Sequence, residues 1–161
     1  MGRVSQFVRH LAARVSADEE ARARQLLPAD AWALWLSMPV ADRRHALDVV
    51  ANLERQGWTD PDLVAAALLH DAAKGSRLRL WHRVGGVLLE AGAPRLLARM
   101  ASPSPSSWGY AWFLYLHHAR LSADAALQAG CSERTAAFIR GSVPPADGPA
   151  AHALHLADEA A

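Results

Sequence analysis

Apolar positions recur at helical spacing along nearly the whole chain. Val4, Phe7, Val8, Leu11 and Val15 mark one face of a first helix. Ser16 followed by Glu19 has the form of a capping box and predicts a second helix ending near Leu27. Pro28 suits the start of a third helix, which carries Trp32, Leu34, Trp35 and Leu36, and Met38-Pro39 breaks it. The two tryptophans read as packing residues. Residues 40–56 predict a stronger helix, with Leu47, Val49, Val50 and Leu53 on its apolar side and Gly57 as its stop. His45 shares that side and points inward, whereas Arg43 and Arg44 mostly do not.

Thr59-Asp60-Pro61-Asp62 supplies a capping side chain, a proline for the first helical position and acids for the first turn. The helix that follows runs from Leu63 through an unbroken apolar stretch into His70-Asp71, then Lys74, with Gly75 ending the run. Leu63, Ala66, Ala67 and His70 share a stripe, so His70 also faces inward. Residues 76–91 predict a further helix, weakened or bent at Gly85-Gly86, and residues 94–100 a short one. Residues 101–107 are rich in serine and proline and read as a loop. Residues 108–118 predict an aromatic helix ending in His117-His118, with a new helix starting at Ser122 and Gly130 after it. Ser132 caps another helix, to about Arg140, and residues 141–149 form a loop. In the last helix, residues 150–161, Asp158 shares the apolar side with Leu154. No segment alternates like a strand and no internal repeat is evident, so the fold class is all-α.

Composition narrows the partners. A net charge of +1 offers no basic field for nucleic acid. Cys131 is the single cysteine, which excludes an intramolecular disulfide and a cysteine-based zinc site. No apolar run reaches the roughly 18 residues of a membrane span. The first residues carry Arg3, Arg9 and Arg14 and lack a signal-peptide core. The expectation is a soluble cytoplasmic protein with neither a membrane nor a nucleic-acid partner; its oligomeric state is left open. Lys74 is the only lysine among 17 Lys and Arg residues. A lysine is a compact point charge suited to phosphate or to a metal-bound anion. Arg77, Arg79 and Arg83 follow it closely, as an anion-facing wall or as a solvated face.

Three helices thus place ionisable side chains where a core is expected: His45, His70 with Asp71, and Asp158. Buried separately, each would need its own compensation. One divalent ion held by two imidazoles and two carboxylates satisfies them together. Neighbouring residues on a helix point about 100° apart, so His70 and Asp71 grip one ion only beside the helix end. Ligands of this kind suit manganese, iron, cobalt, nickel or zinc.

The run Arg44-His45, Gly57, Asp60-Pro61-Asp62-Leu63 and Leu69-His70-Asp71-Ala72-Ala73-Lys74 resembles the HD superfamily of metal-dependent phosphohydrolases. Leu156-Ala157-Asp158-Glu159 resembles the helix of that family's last ligand, and the likeness spans roughly Asp42 to Asp158. The resemblance implies an HD-domain-like helical bundle in one domain over residues 1–161. Residues 1–39 would be an N-terminal helical extension and residues 40–161 the core. It implies His45, His70, Asp71 and Asp158 as ligands of one divalent metal. It implies hydrolysis of a small phosphate ester, with a nucleotide as one candidate, by a metal-activated water. Asp71 and Lys74 would be catalytic, and Lys74, Arg77, His117 and His118 would bind substrate. A subset of the family uses further histidines for a second metal. His118 resembles the first of these, but no histidine stands in residues 139–142, which favours one metal. His117 and His118 then line the pocket or form a plain surface pair. The alternatives are a metal- or nucleotide-binding regulatory module without turnover, and a helical interaction module whose buried polar groups bond to one another.

Overall fold

The computed structural model describes residues 14–75, 77–78 and 80–161. The helix expected from Val4 onward falls outside these residues up to position 13. Arg79 and the Arg83 side chain also lie outside the description, so the basic stretch is represented by Arg77. Among the described residues there are nine α-helices and no strand. They are α1 (Ala17–Leu26), α2 (Ala29–Leu36), α3 (Val40–Arg55), α4 (Pro61–Leu69), α5 (Leu80–Gly92), α6 (Pro94–Met100), α7 (Tyr110–Gln128), α8 (Glu133–Arg140) and α9 (Gly148–Ala160). A 3₁₀ turn, Pro145–Asp147, leads into α9.

Local chemistry sets several of these boundaries. Ser16 and Glu19 form the reciprocal capping box at the head of α1. Asp60 accepts from the backbone N–H groups of Asp62 and Leu63, and Pro61 occupies the first position of α4. Ser132 caps α8 through the N–H of Thr135, and Gly141 closes it in the left-handed region at φ 70°.

Helix α4 is the centre of the packing. All residues from Leu63 to Leu69 are buried. A helix that is apolar on every side has no face to offer water, and α4 packs against α1, α2, α3, α7, α8 and α9. Leu63, Leu68 and Leu69 are fully buried, and burial of such a side chain contributes about 1.5–3 kcal/mol. Trp35 is fully buried and stacks on Trp32, as packing residues should. Helices α5, α6 and α7 pack on one another as a flanking group.

Four expectations need correction. Helix α4 ends at Leu69 rather than running to Gly75, because residues 70–75 change to tighter turns. Ala72 N–H donates to Leu69 O at 3.0 Å, Lys74 N–H donates to Asp71 O at 3.0 Å, and Gly75 adopts φ 57°. Helix α5 begins at Leu80, and Gly85-Gly86 lies inside it. These glycines serve close approach: a Cβ on Gly86 would sit 2.5 Å from the Tyr115 ring. Helix α7 runs unbroken through Ser122, since residues 119–121 contain neither glycine nor proline to stop it. Arg43 and Arg44 are covered by α1, pairing with Glu20 at 2.7 Å and Glu19 at 2.5 Å.

Candidate metal centre

The end of α4, the inward side of α3 and the last turns of α9 meet at one point. His45 comes from α3, Asp158 from α9, and His70 is the residue that ends α4. Ligand atoms of His45, His70 and Asp158 all lie within 4.8 Å of one another, close enough to hold one metal ion. His45 Nε2 is 2.7 Å from Asp158 Oδ1, and His70 Nε2 is 3.4 Å from the same oxygen. The two imidazole rings meet edge to face, 5.4 Å between centroids.

The orientation of His70 is fixed by its own helix. Its Nδ1 lies 2.9 Å from the Ala67 carbonyl oxygen, which can only accept, so Nδ1 carries the proton. In a neutral ring, Nε2 then presents a lone pair. That nitrogen is buried without a hydrogen-bond partner. It faces Asp158 Oδ1 and, at 3.5 Å, Asp71 Oδ1. Asp71 Oδ1 is likewise buried without a partner, while Oδ2 accepts from Lys74 Nζ at 2.6 Å. Two buried acceptor atoms, His70 Nε2 and Asp71 Oδ1, thus face each other beside the partly exposed His45 and Asp158, and positive charge between them reconciles them. A divalent cation fits this donor set of imidazole nitrogens and carboxylate oxygens.

The titration behaviour of the metal-free cluster follows from the same crowding. Burial opposes charge on His70, but the carboxylates of Asp71 and Asp158 outweigh it and push the imidazole up to about 9. Burial likewise opposes ionisation of Asp71, yet His70 and then Lys74 hold its carboxyl well below the usual range. For Asp158, burial is overcome by the His45 ring nitrogen 2.7 Å away and by the charge of the nearby His70, with the same downward result. His118 is pushed below the ordinary histidine value by burial and by the Lys74 charge, against the pull of Asp71. On α7, His118 stands one turn before Ser122, whose Oγ accepts from the Ala73 N–H. The His118 Nδ1 is 2.9 Å from the Tyr115 carbonyl, leaving Nε2 as the free face of a neutral ring.

The other expected substrate-binding residues have different neighbours. Arg77 donates to the Pro105 carbonyl, and its guanidinium lies 5.7 Å from the centroid of the Tyr110 ring. His117 packs on the Phe113 ring, 4.6 Å between centroids.

Two residues near the cluster stand outside the pattern of inward ionisable groups that marks the others in the sequence. Ser122, fully buried on α7, accepts from the Ala73 backbone N–H at 3.0 Å. Asn52, on α3, donates from Nδ2 to the carbonyl of Ala157 at 2.8 Å. Ser122 follows His118 by one helical turn, so their shared face was available as a clue. Asn52 lies two turns beyond His45 on the same helix, which is a weaker one.

No protein-family model matches this chain, and no curated protein or solved structure matches it. Among the described residues no helix is long and apolar enough to cross a membrane.

Proposed function

We propose that this protein is a metal-dependent phosphohydrolase of the HD type, acting on a small phosphate ester. A nucleotide is one candidate substrate. The observation that carries this reading is the pair of orphaned atoms, His70 Nε2 and Asp71 Oδ1, buried beside His45 and Asp158. The order of ligands along the chain, His, His-Asp, then a late Asp, supports the same reading.

In this reading His45, His70, Asp71 and Asp158 hold one divalent ion, with manganese, iron, cobalt, nickel and zinc all suited to the ligands. Such an ion polarises a phosphoryl oxygen and lowers the pKa of water. The side chains around it supply the rest. Asp71 and Asp158 bring two negative charges and Lys74 one positive charge. With both imidazoles neutral, as metal ligands are, a divalent ion brings this sum to +1, which suits an anionic ester. Lys74 provides charge where a phosphoryl group gathers it, and Asp71 orients the attacking water. His118, neutral and adjacent, offers Nε2 to the substrate. Arg77 and His117, the other residues this reading assigns to substrate, contact Pro105, Tyr110 and Phe113.

The test is metal analysis joined to a screen of phosphate esters with manganese or cobalt added. One ion per chain and turnover of at least one ester are expected, with both lost in His70→Ala. Absence of stoichiometric metal, or turnover that survives His70→Ala, rejects the reading. The contact between Lys74 and Asp71 favours a second reading, a metal-binding regulatory module, because it already uses the one lysine. Stoichiometric metal without turnover of any ester supports that second reading.

A further inference from the structure

Helix α4 gives up its regular hydrogen bonding just where the chemistry lies. In a continued helix the Ala73 N–H would donate to the Leu69 carbonyl, but that oxygen takes the Ala72 N–H at 3.0 Å. The Ala73 N–H would therefore be orphaned inside the protein, at the cost of an unmade hydrogen bond. Ser122 removes that deficit from another helix: its Oγ accepts from Ala73 N–H at 3.0 Å, and its side chain is fully buried. Ala73 stands between Asp71 and Lys74 in the same turn. The Ser122 bond is thus a strut between α7 and the segment that aims His70, Asp71 and Lys74.

We infer that Ser122 is a positioning residue for the metal centre, acting through the 70–75 turn rather than by contact with the ion. This rests on the metal reading above. Groups that orient metal ligands from outside the coordination shell alter affinity about 10–100-fold when removed. The interior position of Ser122 in α7 makes the test clean. Alanine is a better helix former than serine, so Ser122→Ala keeps α7 intact while deleting the acceptor. Thr135 provides the control. It is a buried hydroxyl on α8 that bonds to Asp62 Oδ1 at 2.9 Å, near the opposite end of α4.

The experiment titrates the full chain with cobalt(II) alone and follows its visible absorption, without any turnover assay. Wild type is expected to bind one cobalt. Ser122→Ala should bind about 10–100-fold more weakly with an altered spectrum. Thr135→Ala should keep the wild-type affinity and spectrum. Ser122→Thr, which retains the acceptor, should recover part of the affinity. If Ser122→Ala binds cobalt as wild type does, the inference is wrong while the metal reading stands. Equal weakening in Ser122→Ala and Thr135→Ala would mean general loss of stability and also overturn it. Failure of the wild type to bind cobalt would remove the metal reading, and this inference with it. Amide exchange gives a readout that needs neither metal nor variant: the Ala73 N–H should be protected in the wild type, and exchange at the rate of an open amide would refute the strut.

Discussion

Asp71 turns one oxygen toward the His70 imidazole and the other toward the Lys74 ammonium. Its side chain is 1% exposed, so solvent screens neither interaction. Removing it from the metal-free protein leaves the Lys74 ammonium without its anion and His70 with Asp158 alone. Breaking a buried pair in this way costs about 3–5 kcal/mol. Asp71→Ala should therefore destabilise the metal-free chain by that amount, and Lys74→Ala by clearly less, because Asp71 still faces His70. Urea denaturation of the two variants decides this, and equal losses would contradict it. Glu19 shows the opposite regime. The Arg44 guanidinium, then the Ser16 N–H, hold its carboxyl down at about 2, against 4.5 when free. Because the folded value is the lower one, this stabilisation is whole above about pH 4.5 and fades as pH falls toward about 2. The effect is modest, since the side chain is 39% exposed. Glu19→Gln should flatten the acid limb of the thermal stability curve in that window and leave the limb near neutrality unchanged in slope.

At the scale of elements, the seam between α5 and α7 is set by what is missing from Gly86. A Cβ there would lie 2.5 Å from the Tyr115 ring, whose hydroxyl donates to Glu90 at 2.9 Å. Alanine in a helix interior gains about 1 kcal/mol over glycine, while overpacking costs about 1–3 kcal/mol. The clash outweighs the gain, so Gly86→Ala should destabilise the protein by about 1 kcal/mol. Gly92 ends the same helix with open space where a Cβ would stand, so Gly92→Ala should be neutral or stabilising. Urea midpoints of the pair give the comparison, and a stabilised Gly86→Ala would disprove the close seam.

Across the whole molecule, the candidate centre exists because α3 and α9 are held in one register. Asp158 lies in the last turn of α9, where backbone carbonyls lack partners within the helix. Asn52 satisfies one of them, the buried Ala157 carbonyl, and Arg55 donates in turn to the Asn52 side-chain oxygen. Loss of Asn52 strands that carbonyl. Asn52→Ala should cost about 1–3 kcal/mol, measured by denaturation. It should also lower cobalt affinity by loosening Asp158 against His45. At the far end of α4, Arg134 joins Asp60, Asp62 and Asp147, tying α8 to the start of α4 and to the turn before α9. The two ends of the bundle are thus locked by different chemistry: an ion-pair network at one, and a cluster of imidazoles and carboxylates at the other.

Chain-local physics made much of this legible in advance. The caps at Ser16, Asp60 and Ser132 and the apolar spacing determined helix identity and most boundaries, because each depends on residues within a turn of one another. The same periodicity turned His45 and His70 inward. What only the packed structure decided are contacts between residues far apart in the chain. Asp158 meets His45 across 113 positions, Asn52 meets Ala157 across 105, and Ser122 meets Ala73 across 49. Periodicity states which side of a helix is buried, but not which partner lies against it. The unwinding after Leu69 was hidden for the same reason: the acceptor that makes it tolerable stands on another helix.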